Sequence, residues 1–224
     1  MRRFARIAGT LMIVSGIGAL AWTLTVWQWQ DPLTYATNRL EQRTLGQAFD
    51  RRLDEGGAAL ASAGPASVSK SAARWRKSSS RGDAVARIRI PAIGLDAVVA
   101  NGTDTNTLKR GPGRYLGSAM PGEKELVYIA GHRTTHGAPF SRIDRLKQGD
   151  TVSLELPYGT FEYAITGHRI VAATETSVLK SKGYEQLALQ ACHPRFFATQ
   201  RIIAYAKLVR MTPRERDATA EALG

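Results

Sequence analysis

The 224-residue chain has one cysteine, Cys192, four histidines, and aromatic residues at only 8% of its length. A single thiol forms no intramolecular disulfide, so no cross-linked framework holds this fold. Outside the cytoplasm a lone thiol is open to oxidation and mispairing, and there it needs either burial or a chemical use. Acid is scarce as well: 19 Asp and Glu stand against 31 Lys and Arg, a formal net charge of +12. That balance favours anionic neighbours such as lipid headgroups, nucleic acid or a polyanionic wall. It selects none of them, and a merely solvated basic surface fits it equally. No internal repeat is visible, and the length suits one core of ordinary size rather than two.

One long uncharged run is present. Residues 7–27 read IAGTLMIVSGIGALAWTLTVW, and a helix of that length spans roughly 30 Å, the thickness of a bilayer's hydrocarbon core. Arg2, Arg3 and Arg6 precede it, so the positive-inside bias holds the N-terminus in the cytoplasm and sends the rest across. Trp22, Trp27 and Trp29 are expected at the outer interface. Two readings compete with a single-pass anchor. Ala19-Leu20-Ala21 resembles a signal-peptidase site, and a buried soluble helix has the same composition. The first of these also places the body of the protein outside the cytoplasm.

The chain divides into four segments: an N-terminus and anchor at 1–30, a juxtamembrane region at 31–83, a main domain at 84–211 and a tail at 212–224. Asp31-Pro32 breaks the first helix. Residues 34–55 are rich in helix formers, with Leu40, Leu45, Phe49 and Leu53 roughly on one stripe, which predicts an amphipathic helix; a mobile charged stalk is the alternative. Residues 56–83, GGAALASAGPASVSKSAARWRKSSSRGD, are small, polar and basic and read as a flexible linker. Its cluster of Arg74, Arg76, Lys77 and Arg81 is either solvated or in touch with lipid or wall anions. From Ala84 the pattern turns strand-like, with β-branched segments at 84–90, 95–100, 126–131, 151–156, 160–171, 186–192 and 200–209 punctuated by Gly, Pro, Asn and Asp. Helical turns are expected near 104–108, 139–147 and 181–185. Seven or eight short strands in so little chain predict a small all-β barrel or sandwich. The tail from Thr212 is charged and expected to fray.

Three residues attract chemical attention. Cys192 closes the apolar run LALQAC and precedes His193-Pro194, so its sulfur can stand at a sheet rim; a small buried hydrophobe is the other reading. Arg201 opens the next strand after HPRFFATQ, a plausible hairpin loop, and antiparallel pairing would set it beside Cys192. A guanidinium there favours thiolate and can stabilise the oxyanion of an attacked carbonyl, although a strand arginine is commonly just solvated. His132 follows the most apolar strand in VYIAGHRTTHG and is placed at a strand end as an acid/base group. His136 lies four residues on, but the segment reads as a loop and no third ligand is evident, so metal binding is disfavoured. His168 and His193 read as ordinary surface or loop histidines.

An apolar strand ending in Gly-His, a later strand ending in Cys, and an Arg nine residues on together resemble the sortase family. ARIRIPAIGLDAVV (86–99), GPGRYLGSAMPGE (111–123), AGHR (130–133) and ACHPRFFATQR (191–201) are most similar to actinobacterial class E members. The resemblance implies an eight-stranded sortase-type β-barrel with short helices behind an N-terminal transmembrane helix. It also implies transpeptidation without a cofactor or metal. Cys192 attacks the Thr–Gly carbonyl of a C-terminal sorting motif on a secreted protein, His132 protonates the leaving amine, and Arg201 holds substrate and oxyanion. An amine on a peptidoglycan precursor then resolves the thioacyl enzyme. Partners are thus secreted substrates, the amine acceptor and the membrane, not nucleic acid. The family usually carries TLxTC at the nucleophile, whereas this chain has Ala188 and Ala191 in place of both threonines. Ala191 is therefore expected to line, and to retune, the substrate site. Tyr115 in GPGRY matches a tyrosine implicated in preferring LAxTG over LPxTG, and also suits an ordinary packing role. No acidic cluster supports calcium dependence. A cysteine peptidase using the same residues with water as acceptor, and a non-catalytic homologue, are the rival readings.

Overall fold

The computed structural model describes residues 2–29, 32–60 and 65–214. Three helices come first: α1 (Arg2–Trp29), α2 (Pro32–Leu60) and α3 (Pro65–Ser78). Eight strands and a fourth helix follow: β1 (Ala84–Ile90), β2 (Leu95–Asn101), α4 (Thr105–Arg110), β3 (Gly113–Arg114), β4 (Leu126–Ala130), β5 (Thr151–Leu156), β6 (Gly159–Ala172), β7 (Gln186–His193) and β8 (Gln200–Pro213). They close into a barrel in the order β1-β2-β3-β4-β7-β8-β6-β5, with β5 pairing back onto β1. The expected eight-stranded barrel is what forms.

Period-two patterning explains the closure. In β5, Val152, Leu154 and Leu156 are at most 1% exposed while Thr151, Ser153 and Glu155 face outward, so one face of each strand is available to a common interior. Ile88, Ile129, Phe161, Tyr163, Leu187 and Leu189 fill it. Two local features were harder to anticipate. β3 has only two residues, too short for any alternation. The helical turn expected at 181–185 lies instead at Ser177–Leu179. The turns expected at 104–108 and 139–147 coincide with α4, whose first turn is capped by Asp104 accepting from Thr107 N at 3.1 Å, and with a 3-10 turn at Ile143–Arg145.

The largest departure is α3, in the stretch read as a flexible linker. Val68, Ala72 and Trp75 recur at i, i+4 and i+7 and are 0–3% exposed, packed into the main core. Trp75 Nε1 donates to the Val85 carbonyl at 3.0 Å, and the Arg52 guanidinium lies 4.0 Å over its ring. Burying Val68 and Trp75 alone contributes about 1.5–3 kcal/mol each, enough to hold one short helix against the sheet. α2 follows the expected stripe in part. Leu45 and Phe49 are buried against Ala84, Val98 and Ala100, with Leu53 beside them, but Leu40 is 62% exposed. Gln42 fixes the register of α2: its Oε1 accepts from Val98 N at 2.7 Å, and its Nε2 donates to the Arg110 and Val98 carbonyls at 2.7 and 3.2 Å.

α1 contains a 23-residue span, Arg2–Leu24, long and apolar enough to cross a membrane by length and composition, and none of it is buried. β8 continues through Thr212 and Pro213, which pair with Thr160 and Gly159, so the chain is still in the sheet where fraying was expected to begin. The helix break at Asp31, the Trp27 and Trp29 side chains and the tail at 215–224 lie outside the described residues.

Candidate active site

β7 and β8 form an antiparallel pair in which Cys192 lies opposite Arg201, the register anticipated from their spacing. Residues alternate along β7. Leu187, Leu189 and Ala191 point into the barrel, whereas Ala188 joins an outer cluster with Tyr128, Val171 and Ile203. Cys192 is on that outer face, half-buried, with its thiol free. Gln190, one step back on the same face, accepts a hydrogen bond from the Tyr128 hydroxyl. Burial pushes the Tyr128 phenol up, and Arg201 partly offsets it, so the guanidinium is close enough to act electrostatically on this face.

His132 sits just past the end of β4, which runs parallel to β7 with Ala130 beside Gln190. Gly131 N donates to the Gln190 carbonyl at 3.0 Å, carrying the pairing one residue further towards His132. The site requires a glycine here, because a Cβ would lie 2.7 Å from the Phe140 ring. The His132 imidazole stacks on His136 at 4.8 Å between centroids, and its Nε2 is buried without a hydrogen-bond partner among the described residues. Desolvation lowers its pKa, and the neighbouring His136 lowers it further.

The residue that ties this loop to Cys192 is Arg133, which carried no role in the sequence reading. It is 4% exposed. Nη1 donates to the Cys192 carbonyl at 3.3 Å and meets His193 Nδ1 at 2.9 Å, while Nη2 pairs with Asp144 at 2.9 Å. Because arginine only donates, His193 must offer its Nδ1 lone pair. His193 is therefore part of this framework rather than an ordinary loop histidine. His168 is tied as well, donating from Nε2 to the Ile143 carbonyl at 2.9 Å. The AGHR stretch does not say what its arginine touches, so only the register of β4 against β7 reveals the connection.

Arg201 spends both Nη1 hydrogens on the carbonyls of Ala198 and Gln200, at 2.8 and 2.9 Å. Its Nε and Nη2 hydrogens have no partner among the described residues. Tyr115 is half-buried and meets Tyr128 edge-on at 6.4 Å. It stands one ring removed from the Gln190 and Cys192 face. Ala191 is 1% exposed in the main core, so its methyl points away from the face bearing Cys192, and the expectation that it lines a substrate site does not match its orientation. The two loops around the thiol hold four of the five non-glycine residues with positive φ among those described: His136, Ala138, Phe196 and Ala198. Left-handed backbone at about 1–2 kcal/mol per residue is thus concentrated at this end of the barrel. Among the described residues, no group of three or more His, Cys, Asp or Glu could hold a metal ion.

A thiol and a guanidinium paired across two strands, with an imidazole on the adjoining loop, is an arrangement suited to acyl transfer through a thioester. Comparison with known proteins agrees in kind. The chain is 35% identical over 132 residues to Sortase D of Bacillus subtilis, a match covering 57% of this chain and 65% of that protein. A Clostridium perfringens Sortase D5 transpeptidase shares the fold, with a TM-score of 0.63 at 24% identity over 76% of this chain and 99% of that one. Sortase E1 of Streptomyces coelicolor, solved with a tripeptide in its active site, superposes with a TM-score of 0.57 at 28% identity, covering 61% of this chain and 94% of that one. The chain thus spans somewhat less than two thirds of its Bacillus relative. The sortase domain model matches residues 88–209, from within β1 to within β8 and more than half of the 224, and with that match this chain belongs to the sortase family.

Proposed function

We propose that the protein is a membrane-anchored cysteine transpeptidase that cleaves a C-terminal sorting motif of the LAxTG or LPxTG kind between Thr and Gly. The acyl group then passes to an amine on a cell-wall precursor. The observation that carries this reading is the register placing Cys192 opposite Arg201, with the His132 loop joined to the same strand end through Arg133. Cys192 Sγ, as thiolate, adds to the threonine carbonyl carbon. The free Nε and Nη2 donors of Arg201 hold the oxyanion. As the C–N bond breaks, His132 gives its proton to the departing glycine amine, leaving a thioester on Cys192. An incoming amine adds to that thioester, loses its proton to His132, and the C–S bond breaks. Water in place of the amine gives hydrolysis by the same steps.

The apolar α1 behind Arg2, Arg3 and Arg6 supports an N-in, single-pass anchor over 1–30, with the catalytic domain at 84–211 outside and α2 and α3 joining the two. Protease added to intact protoplasts should then digest the body of the protein, and protection of that body overturns the topology. The relatives bear both class D and class E names, so motif choice is the finer question. The contact of Tyr115 with Tyr128, and of Tyr128 with Gln190 beside Cys192, supports a class E-like preference for LAxTG with Tyr115 contributing.

The test is incubation of the full chain in detergent or vesicles with LAxTG and LPxTG peptides, with and without an amine acceptor. Amine-dependent transpeptidation with LAxTG favoured is expected. Hydrolysis alone would establish the peptidase reading. Tyr115→Ala should narrow the ratio of the two kcat/KM values, and an unchanged ratio makes Tyr115 a packing residue only.

A further inference from the structure

The path of α2 determines which end of the barrel faces the anchor. Asn38 Nδ2 donates to the Lys109 carbonyl at 3.1 Å, and its Oδ1 lies against Gly137, where a Cβ would sit 2.2 Å away. Gly137 has φ +72 and belongs to the loop carrying His132 and His136. Further along, Gln42 holds Val98, Leu45 and Phe49 cover Ala84, Val98 and Ala100, and Arg52 Nη1 donates to the Ala84 carbonyl at 3.1 Å. Since β2 pairs antiparallel with β1, with Ala84 opposite Ala100, α2 begins at the end of the barrel bearing the His132 loop and runs towards the far end. β4 and β7 are parallel, so the loops that follow them, at 131–142 and 194–199, share that same end.

The anchor-facing end is therefore the end with the thiol. α1 ends at Trp29 and α2 starts at Pro32. Six residues of helix from there to Asn38 advance about 9 Å, and the three Cα-to-Cα steps from Trp29 to Pro32 reach at most about 11 Å. The His132 loop is thereby held within roughly 20 Å of the end of α1.

On this end two adjacent aromatics face solvent. Phe196 and Phe197, in the loop after β7, are 53% and 77% exposed, with the Arg195 guanidinium 5.8 Å from the Phe196 ring. α2 adds the exposed Arg39 and Arg43 and the 62% exposed Leu40 on its first described turns. Adjacent exposed rings in water cost free energy, whereas rings flanked by cations suit the lipid–water boundary, where apolar groups enter the acyl region and guanidinium groups meet phosphate.

We propose that the barrel is docked with its Cys192 end against the outer leaflet, Phe196 and Phe197 inserted at the interface, so that the site operates at the membrane surface on partners tethered in the same leaflet. This rests on the anchored reading given above. Removing the native thiol leaves a chain in which one introduced cysteine can report its surroundings. In a Cys192→Ala background, Phe197→Cys and, at the far end just before β4, the exposed Glu125→Cys would each carry an environment-sensitive fluorophore. The full chain would be reconstituted in phosphatidylcholine–phosphatidylglycerol vesicles containing spin-labelled lipid. The probe at 197 should be blue-shifted and quenched several-fold more by spin-labelled lipid than the probe at 125. Equal quenching at both sites, or a water-like spectrum at 197 in a chain that resists alkaline carbonate extraction, overturns the docking and leaves the anchor standing. Release by carbonate overturns both. As a second measurement, Phe196→Ser with Phe197→Ser should lower turnover with a lipid-tethered amine several-fold while sparing a soluble amine. Equal loss with both amines, or loss with neither, contradicts the proposal.

Discussion

The two faces of the β7–β8 hairpin share one backbone ladder and have opposite chemistry. Inward, Leu187, Leu189, Ala191, Ile202, Ala204 and Ala206 are 0–4% exposed and wholly apolar. Outward, Gln190, Cys192 and Arg201 alternate with Ala188 and Ile203. The inner face makes the ladder rigid through close packing. The outer face uses that rigidity to hold a thiol and a guanidinium opposite each other without either having to be buried. A substitution on one face should therefore move stability, and one on the other should move turnover.

The largest effect is expected at Cys192. Cys192→Ala should abolish formation of any acyl-enzyme, read by intact-protein mass spectrometry after peptide addition, while the melting temperature stays close to that of the parent. A surviving adduct would locate the nucleophile elsewhere. Arg201→Lys comes next. It keeps the charge but loses the planar fork that reaches two carbonyls through Nη1 and still presents Nε and Nη2. Loss of one oxyanion donor typically costs on the order of 10²–10³ in kcat. Near-parental turnover would show that the guanidinium is not over the oxyanion.

Much of this hairpin was legible in the sequence because period two marks strands and the nine-residue interval sets the register. Pattern reading failed at α3, where two of the four buried positions among the described residues, Ser71 and Ala72, are small and only Trp75 is large. Average composition conceals a stripe made of small residues. The Arg133 link was invisible for another reason: its partners Cys192 and His193 lie 59 and 60 residues further along the chain. Only β4 lying parallel to β7 brings them together.

Ala191 sharpens the comparison between faces. The family's usual threonine at this position invites the idea that Ala191→Thr would restore a substrate contact. The methyl, however, is 1% exposed in the core, and a larger, hydroxylated side chain there overpacks a closed interior at a cost of about 1–3 kcal/mol. Ala191→Thr should therefore lower the melting temperature by roughly 2–12 °C, at 2–4 °C per kcal/mol for a chain of this size. It should leave the ratio of kcat/KM values for LAxTG and LPxTG peptides unchanged. An unchanged melting temperature with an altered ratio would mean that position 191 does reach substrate.

The smallest expected effect is at His136, and its sign is specific. Burial is the larger cause lowering the His132 pKa and the neighbouring His136 the smaller, so removing His136 should raise that pKa without returning it to the ordinary 6.5. Asn is the suitable replacement, because His136 has φ 52 and Asn tolerates left-handed backbone. For a dyad in which imidazolium and thiolate must coexist, with the imidazolium the stronger acid, the competent ion pair is a minority species. Its fraction rises with pH up to the imidazolium pKa, holds level, and falls again once the thiol ionises beside a neutral imidazole. Raising the His132 pKa should accordingly shift the acid limb of the kcat/KM profile to higher pH and lift the plateau beyond it. A profile over pH 4–9 checks both together. A limb that stays in place, or moves down, would mean that the group titrating there is not a His132 facing a second imidazole.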